Sequence, residues 1–262
     1  MVNRNHATYL VNRTMRDELN FLSAALKPES GIKFETPIAH LIPRTPTASI
    51  IGDSSLLACG GYSITLKFWW HFTFPSNIVE RTLLHPKDNS NESFISINCL
   101  EYFTIIVNYC ASLVVFATRK VNDDPHPVVL CVTDNTSALN WTLHTSKKSS
   151  IGRALARFFC GLLIGSNFGV DAKWISTIEN EIADKISRLK KLTPTNSKST
   201  PSHDTYNYAN LQQEHKELKV CNFFQPSHKL VCLLLETLLT GKCPSLDQIL
   251  KLKPEDLGKL CT

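Results

Sequence analysis

The 262-residue sequence contains no Cys-x-x-Cys pair and no Cys/His set with zinc-finger spacing, which excludes zinc-ribbon and zinc-finger architectures. Its nine cysteines, at positions 59, 99, 110, 131, 160, 221, 232, 243 and 261, are odd in number and scattered, so they read as reduced thiols rather than a disulfide framework. An apolar leader is missing as well: Met-Val-Asn-Arg-Asn-His-Ala-Thr has no signal-peptide character. The expected location is therefore intracellular, nuclear or cytoplasmic, and the N-x-S/T sequons at Asn12, Asn91, Asn135 and Asn140 are expected to be coincidental. No internal repeat and no heptad run is present. Charge is scarce, at 19% of residues, and 28 Lys+Arg against 23 Asp+Glu leave a formal +5. That surplus is compatible with a polyanionic partner without demanding one.

Apolar residues, by contrast, make up 43% of the chain, the share of an ordinary globular domain. The length suits one large domain or one medium domain with appendages, and is too short for a multidomain polymerase. One run, 102–118 (YFTIIVNYCASLVVFAT), is uncharged and reaches the lower limit for crossing a bilayer. Asn108, Ser112 and two threonines within it, and Glu101 directly before it, favour a helix buried in a protein core, with a membrane span as the alternative.

Periodicity predicts a helix over 13–26, followed by a Pro-rich connector to residue 47. Three β-rich segments follow closely, 48–53, 56–66 and 67–73, and with no room for helices between them they imply an antiparallel meander. A long helix is expected from 96 to 118, a central strand over 127–133, a short helix over 137–143, a second long helix over 151–164, a strand over 170–176 and a helix over 180–192. The expectation is a compact α/β domain over 48–192 with a five-stranded mixed sheet flanked by helices, three strands antiparallel and then two parallel. Residues 193–220 have linker composition, and 221–262 read as a small helical tail without an assigned function.

Four acids stand at strand or helix ends: Asp53, Glu101, Asp134 and Asp184. Singly, each suits a turn, a helix cap or a first helical turn. If the strands bearing Asp53 and Asp134 are neighbours, both carboxylates emerge at one edge, where the flanking helices can add Glu101 and Asp184. Four such charges repel unless divalent cations neutralise them, and a pair of Mg²⁺ ions about 3.5–4 Å apart is the arrangement that cleaves phosphodiesters.

The segments around these acids resemble a known family. Asp53-Ser-Ser-Leu-Leu-Ala-Cys-Gly-Gly-Tyr-Ser resembles the D-[AS]-S-x(4)-G-[GA] opening of retroelement ribonuclease H domains, and Ile97-Asn-Cys-Leu-Glu101 their glutamate-bearing helix. Val132-Thr-Asp134-Asn-Thr-Ser-Ala-Leu-Asn-Trp141 is similar to the D-N-x(2)-A motif, and Asn180-Glu-Ile-Ala-Asp184-Lys-Ile-Ser-Arg188 to the closing N-x(2)-A-D-x(2)-S-R. The likeness spans about 48–190 and is strongest to DIRS-type and related fungal reverse-transcriptase polyproteins, whose polymerase-proximal connector resembles Thr36–Arg44. No Y-x-D-D polymerase motif is present, so the polymerase part is missing, and Asp123-Asp124 reads as a polar loop.

The resemblance implies a ribonuclease H-like fold and Mg²⁺-dependent (or Mn²⁺-dependent) endonucleolytic cleavage of the RNA strand of an RNA–DNA hybrid. Asp53 would bridge two ions, Glu101 and Asp134 would share one, and Asp184 would complete the other. Contacts to 2′-hydroxyls would select RNA. Candidates for nucleic-acid contact are Gly60 and Gly61, Asn98, Asn135 and Asn180; for the glycines a β-bulge, and for Asn98 and Asn135 a helix-start role, is the competing reading. Lys147 and Lys148, with Arg153 and Arg157, either contact phosphates or form a solvated face. Trp69 and Trp70, with Phe68 and Phe72, either stack on bases or fill the core. His126 and His144 flank the Asp134 region without an expected catalytic part. Many members carry H-x-P-G before the final Asn, and here Trp174 stands at the histidine position. The implied alternative to an active nuclease is a weak or inactive nucleic-acid-binding remnant of a retroelement. No membrane partner is expected, and no protein partner is identifiable from the sequence.

Overall fold

The computed structural model describes residues 12–27, 44–84, 94–119, 124–144, 149–166, 168–189 and 208–261. In chain order the elements are α1 (Arg13–Leu26), β1 (Ala48–Ser54), β2 (Ala58–Ser63), β3 (Phe68–Thr73), α2 (Ser76–Leu83) and α3 (Ile97–Arg119). Next come β4 (Val128–Thr133), α4 (Thr136–Leu143), α5 (Ser150–Ile164), β5 (Gly169–Trp174), α6 (Glu181–Ser187) and α7 (Tyr208–Glu214). After a 3-10 turn, Lys216–Val220, the chain ends with β6 (Asn222–Pro226), α8 (His228–Thr240), α9 (Leu246–Leu250), α10 (Pro254–Leu257) and β7 (Gly258–Cys261).

One mixed sheet runs in the order β5-β4-β1-β2-β3-β6-β7. The expected meander is present, β1 and β3 each lying antiparallel to β2, and β4 lies parallel to β1 and β5 parallel to β4. The sheet has seven strands rather than five. The two additional strands come from the segment read as a purely helical tail: β6 pairs parallel with β3, and β7 closes antiparallel on β6. Phe224, Leu230, Leu234, Leu238, Ile249 and Leu257 of that segment belong to the same buried cluster as the strands and α3, so the tail completes the core rather than hanging from it. Residues 208–220, assigned to a linker, are helical, and Leu211 and Leu218 pack with Tyr62, Ala183 and Ile186 in a second cluster. Residues 193–207 of that linker, like most of the Thr36–Arg44 stretch, lie outside the described residues.

The long apolar helix α3 is long and apolar enough to cross a membrane, yet 94% of its apolar window is buried in the protein. It lies on the sheet at a depth set by glycine. A Cβ on Gly61 would lie 2.3 Å from Asn108 Oδ1, and one on Gly52 would lie 2.5 Å from Asn108 Nδ2. The Asn108 amide thus sits in the space two side chains would occupy, where its oxygen accepts a hydrogen bond from the Trp70 indole at 2.7 Å. Trp70 and Phe68 are fully buried, and Trp69 is stacked on Tyr208 with ring centroids 3.6 Å apart; in Trp70 and Phe68 core filling wins over base stacking.

On the opposite face α6 approaches β2 at Gly60, where a Cβ would lie 2.4 Å from Ile186 Cγ2 and 2.7 Å from the Trp70 carbonyl oxygen. Because one of those neighbours is backbone, Gly60→Ala is expected to cost about 1–3 kcal/mol by overpacking. Urea titration reads this directly, and an unchanged midpoint would argue against the close seating of α6.

A candidate metal centre of three carboxylates

Asp53, Glu101 and Asp134 each offer an oxygen within 4.8 Å of the others, and they come from three separate elements. The parallel pairing of β1 and β4 reaches Ile51 opposite Val132, so two residues further on Asp53 and Asp134 leave the sheet at one edge. Glu101 stands in the second turn of α3 and is tied to this edge by the Ser54 backbone N–H, which donates to its Oε1 at 3.1 Å. Strand pairing places the aspartates, and the packing of α3 over Gly52 and Gly61 brings in the glutamate.

Asp53 is 6% exposed and Glu101 is 4% exposed. Burial pushes the Asp53 carboxyl up to about 6; the Ser187 hydroxyl, donating to Oδ2 at 2.7 Å, opposes this, and the negative charges of Asp134 and Asp184 add to it. Glu101 is raised for the same reason, burial first and the charge of Asp53 next, against the Ser54 N–H. Its second oxygen, Oε2, is buried and accepts no hydrogen bond from the protein. A buried unsatisfied carboxylate oxygen is costly, at about 1–3 kcal/mol or more. Asp53 and Glu101, which burial and repulsion hold toward protonation, stand beside the Asp134 carboxylate, and with one Glu101 oxygen vacant the three are a donor set that fits a hard divalent cation.

The fourth acid is held differently. Asp184, on α6, is outside the three-carboxylate group; its Oδ1 accepts from Arg188 Nη2 at 2.8 Å and Nε at 2.9 Å. Its negative charge is still felt at Asp53 and Glu101. The expectation that all four acids meet at one spot therefore holds for three, because a two-pronged guanidinium one helical turn away engages the fourth.

Several residues expected at a nucleic-acid surface are internal. Gly60 and Gly61 are buried in continuous β1–β2 register, Asp53 opposite Gly60 and Gly52 opposite Gly61, so they present no backbone to a ligand and form no bulge. Their role is the close approach of α6 and α3. Asn180 is fully buried, with Nδ2 donating to Asp53 Oδ1 at 3.3 Å, which makes it a support of the site rather than a contact with nucleic acid. Asn135 caps α4 by accepting from Ser137 and Ala138 N–H, and its Nδ2 donates to Asn98 at 2.9 Å. These two asparagines join the start of α3 to the loop of Asp134. Lys147 and Lys148 lie outside the described residues, and Arg157 is paired with Glu18 at 2.7 Å.

Two site residues had no role assigned from sequence. Ser187 is the serine of the closing N-x(2)-A-D-x(2)-S-R motif, so its position was available as a signal. Trp174 is half-exposed, and its indole N–H donates to the Asp134 backbone carbonyl at 2.8 Å, fixing the loop that carries this carboxylate.

No protein-family model, no curated protein and no solved structure matches the chain.

The raised Asp53 carboxyl has a measurable consequence. A carboxyl raised from 3.8 to about 6 on folding is stabilising when protonated, so this contribution is present at low pH and is lost as pH rises from about 4 through about 6. Metal-free protein should lose about 2–3 kcal/mol across that window through Asp53, and Asp53→Asn should remove this part of the pH dependence. Mg²⁺ should stabilise the wild-type protein more at pH 8 than at pH 5, where protons compete for the same oxygens. Thermal melts with and without Mg²⁺ measure both, and equal Mg²⁺ shifts at the two pH values would contradict the assignment.

Proposed function

We propose that the chain is a divalent-metal-dependent nuclease of the ribonuclease H type, cleaving the RNA strand of RNA–DNA hybrids. The observation that carries this reading is the convergence of Asp53, Glu101 and Asp134 within 4.8 Å, with Glu101 Oε2 buried and unsatisfied. The antiparallel β1-β2-β3 meander extended by parallel β4 and β5, with α3 laid across them, supports it, since this is the strand pattern expected from the sequence, here within a seven-stranded sheet.

Asp53, Glu101 and Asp134 would hold the cation, with Asp184 close enough in charge to assist a second. Bound Mg²⁺ supplies a lowered water pKa and a Lewis acid for the leaving oxygen. The protein's own part is positional. Ser187 and Asn180 hold both Asp53 oxygens, and the Ser54 N–H leaves only one Glu101 oxygen open. Trp174 and the Asn135–Asn98 bond fix the Asp134 loop. Such pre-set carboxylates need little reorganisation when a phosphate arrives.

A second reading, an inactive nucleic-acid-binding domain, is favoured by the Arg188 hold on Asp184 and by Trp174 at the histidine position. Incubation with a labelled hybrid, with Mg²⁺ or with a chelator, separates the two. The nuclease reading expects Mg²⁺-dependent RNA fragments bearing 3′-hydroxyls, whereas binding without cleavage selects the second. A nucleic-acid substrate, Mg²⁺ or Mn²⁺ as cofactor and an intracellular site of action are parts of the same proposal.

A further inference from the structure

Helix α1 meets the rest of the protein along its less apolar side. Glu18 is paired with Arg157 of α5 at 2.7 Å, Ala25 is buried, and Asp17, Phe21 and Ala24 line the cavity between α1, α5 and the α8–α9 turn. The methionine and all three leucines of the helix lie elsewhere: Met15, Leu19, Leu22 and Leu26 are 45–69% exposed. At about 100° per residue these four fall within an arc of about 60°, on the side opposite Asp17 and Ala24. A helix on a protein surface ordinarily turns such a stripe toward the core. In α1 it points outward, a continuous apolar ridge over three turns.

The spacing of the ridge says what fits it. Intervals of four, three and four residues are those of the a and d positions of a two-helix seam, whose side chains enter the gaps between the same residues of a facing helix. Such a ridge is complementary to itself, which is what a two-fold interface requires. Its flanks do not oppose approach: Arg16 and Ser23 stand on one side, Glu18 and Ala25 on the other, and Glu18 is already paired within its own chain. The seam spans less than two heptads, too short to hold two free helices together, but α1 is held helical by its contacts with the protein before any association. Four half-exposed apolar side chains form a patch on the order of 400 Å², as large as the main patch on an ordinary monomer. Two of them face to face, with their polar flanks, bury about 1,000 Å², the lower end for specific association. A lipid surface fits less well, because Arg13, Arg16 and Lys27 are set against Asp17 and Glu18, without the basic surplus of a membrane-surface helix.

We infer that α1 is a self-association surface: two copies of this chain pair through Met15, Leu19, Leu22 and Leu26 about a two-fold axis, in a reversible dimer with a Kd of about 1–100 μM. The inference stands apart from the nuclease reading, since none of the three carboxylates takes part in the contact.

The test is sedimentation velocity of the full-length chain over about 0.5–300 μM, a range that brackets such a Kd. The mass should rise with concentration from 29.4 kDa toward twice that value. Leu19→Glu combined with Leu22→Glu, at the centre of the seam, should weaken pairing about a hundredfold or more and keep the chain monomeric. Leu26→Glu alone, at the most exposed of the four positions, should weaken it about tenfold and decides the matter if the double variant does not fold. Val220→Glu, at an exposed apolar position outside α1, should dimerise as the wild type does. Thermal melts of the dilute proteins, where all are monomeric, should coincide, because exposed substitutions leave the fold intact. A wild-type chain that stays monomeric over the whole range, including one whose leucines bind phosphatidylcholine vesicles instead, would overturn the inference. So would a dimer that survives both sets of α1 substitutions unchanged.

Discussion

On the proposed function, Asp134→Asn is expected to lower hybrid cleavage by about 10²–10³, the equivalent of about 3–4 kcal/mol of transition-state stabilisation lost when a carboxylate of the candidate metal site is neutralised. The variant should fold normally. Asp134 is only partly buried, and the bond that fixes its loop runs from the Trp174 indole to its backbone carbonyl, which the substitution leaves in place. Glu101→Gln should act similarly, because the amide oxygen can still accept from the Ser54 N–H while the metal-facing position loses its charge. Asp171→Asn, at an exposed position of β5, is the matched control and should cut at the wild-type rate. Initial rates on a labelled hybrid decide the matter. Equal cleavage by Asp134→Asn and wild-type protein would remove the carboxylate site from the reaction altogether.

Removal of residues 221–262 is expected to abolish cooperative folding. Phe224, Leu230, Leu234 and Leu238 are 0% exposed, and Ile249 and Leu257 are 2% and 3% exposed. At about 1.5–3 kcal/mol for each buried large apolar side chain, these six contribute about 9–18 kcal/mol of burial. That is comparable to the whole net stability of an ordinary domain, about 5–15 kcal/mol. The deletion would also strip β3 of its parallel partner β6 and leave an unpaired edge. The shortened chain should melt without a sharp transition or aggregate, and Leu234→Ala in the full chain should cost about 2–5 kcal/mol. A fragment ending at Val220 that melts cooperatively near the full-length temperature would show that the tail is an appendage after all.

The same tail marks the limit of what the sequence discloses. Asn222-Phe-Phe-Gln-Pro is five residues long and ends in proline, so its alternation is too short to separate strand from turn. Its assignment as a strand comes from pairing with β3 roughly 150 positions earlier, and no local window contains that partner. Helix α2 (Ser76–Leu83) went unread for a related reason: its buried positions, Ile78 and Thr82, are too few to set a period. The reading of Gly60-Gly61 failed differently. Two adjacent glycines after an Asp-Ser-Ser segment look the same whether the backbone approaches a ligand or a helix approaches the backbone.

At the site, the sequence by itself singled out four acids at the ends of elements whose periodicity or β-branched composition is strong, and the structure brings Asp53, Glu101 and Asp134 of these within 4.8 Å of one another. It also favoured burial of α3 over a membrane span, since Asn108 and Ser112 inside an apolar run call for protein partners, and the tertiary structure buries 94% of that run. Only the tertiary structure decided that Asp184 turns to Arg188, that Ser187 and Asn180 brace Asp53, and that Trp174 holds the Asp134 carbonyl. The physical reason is range. Helix periods and strand runs are set by neighbours a few residues apart, whereas a hydrogen bond from Ser187 to Asp53 spans 134 positions and exists only once the strands have paired and α6 has closed on glycine.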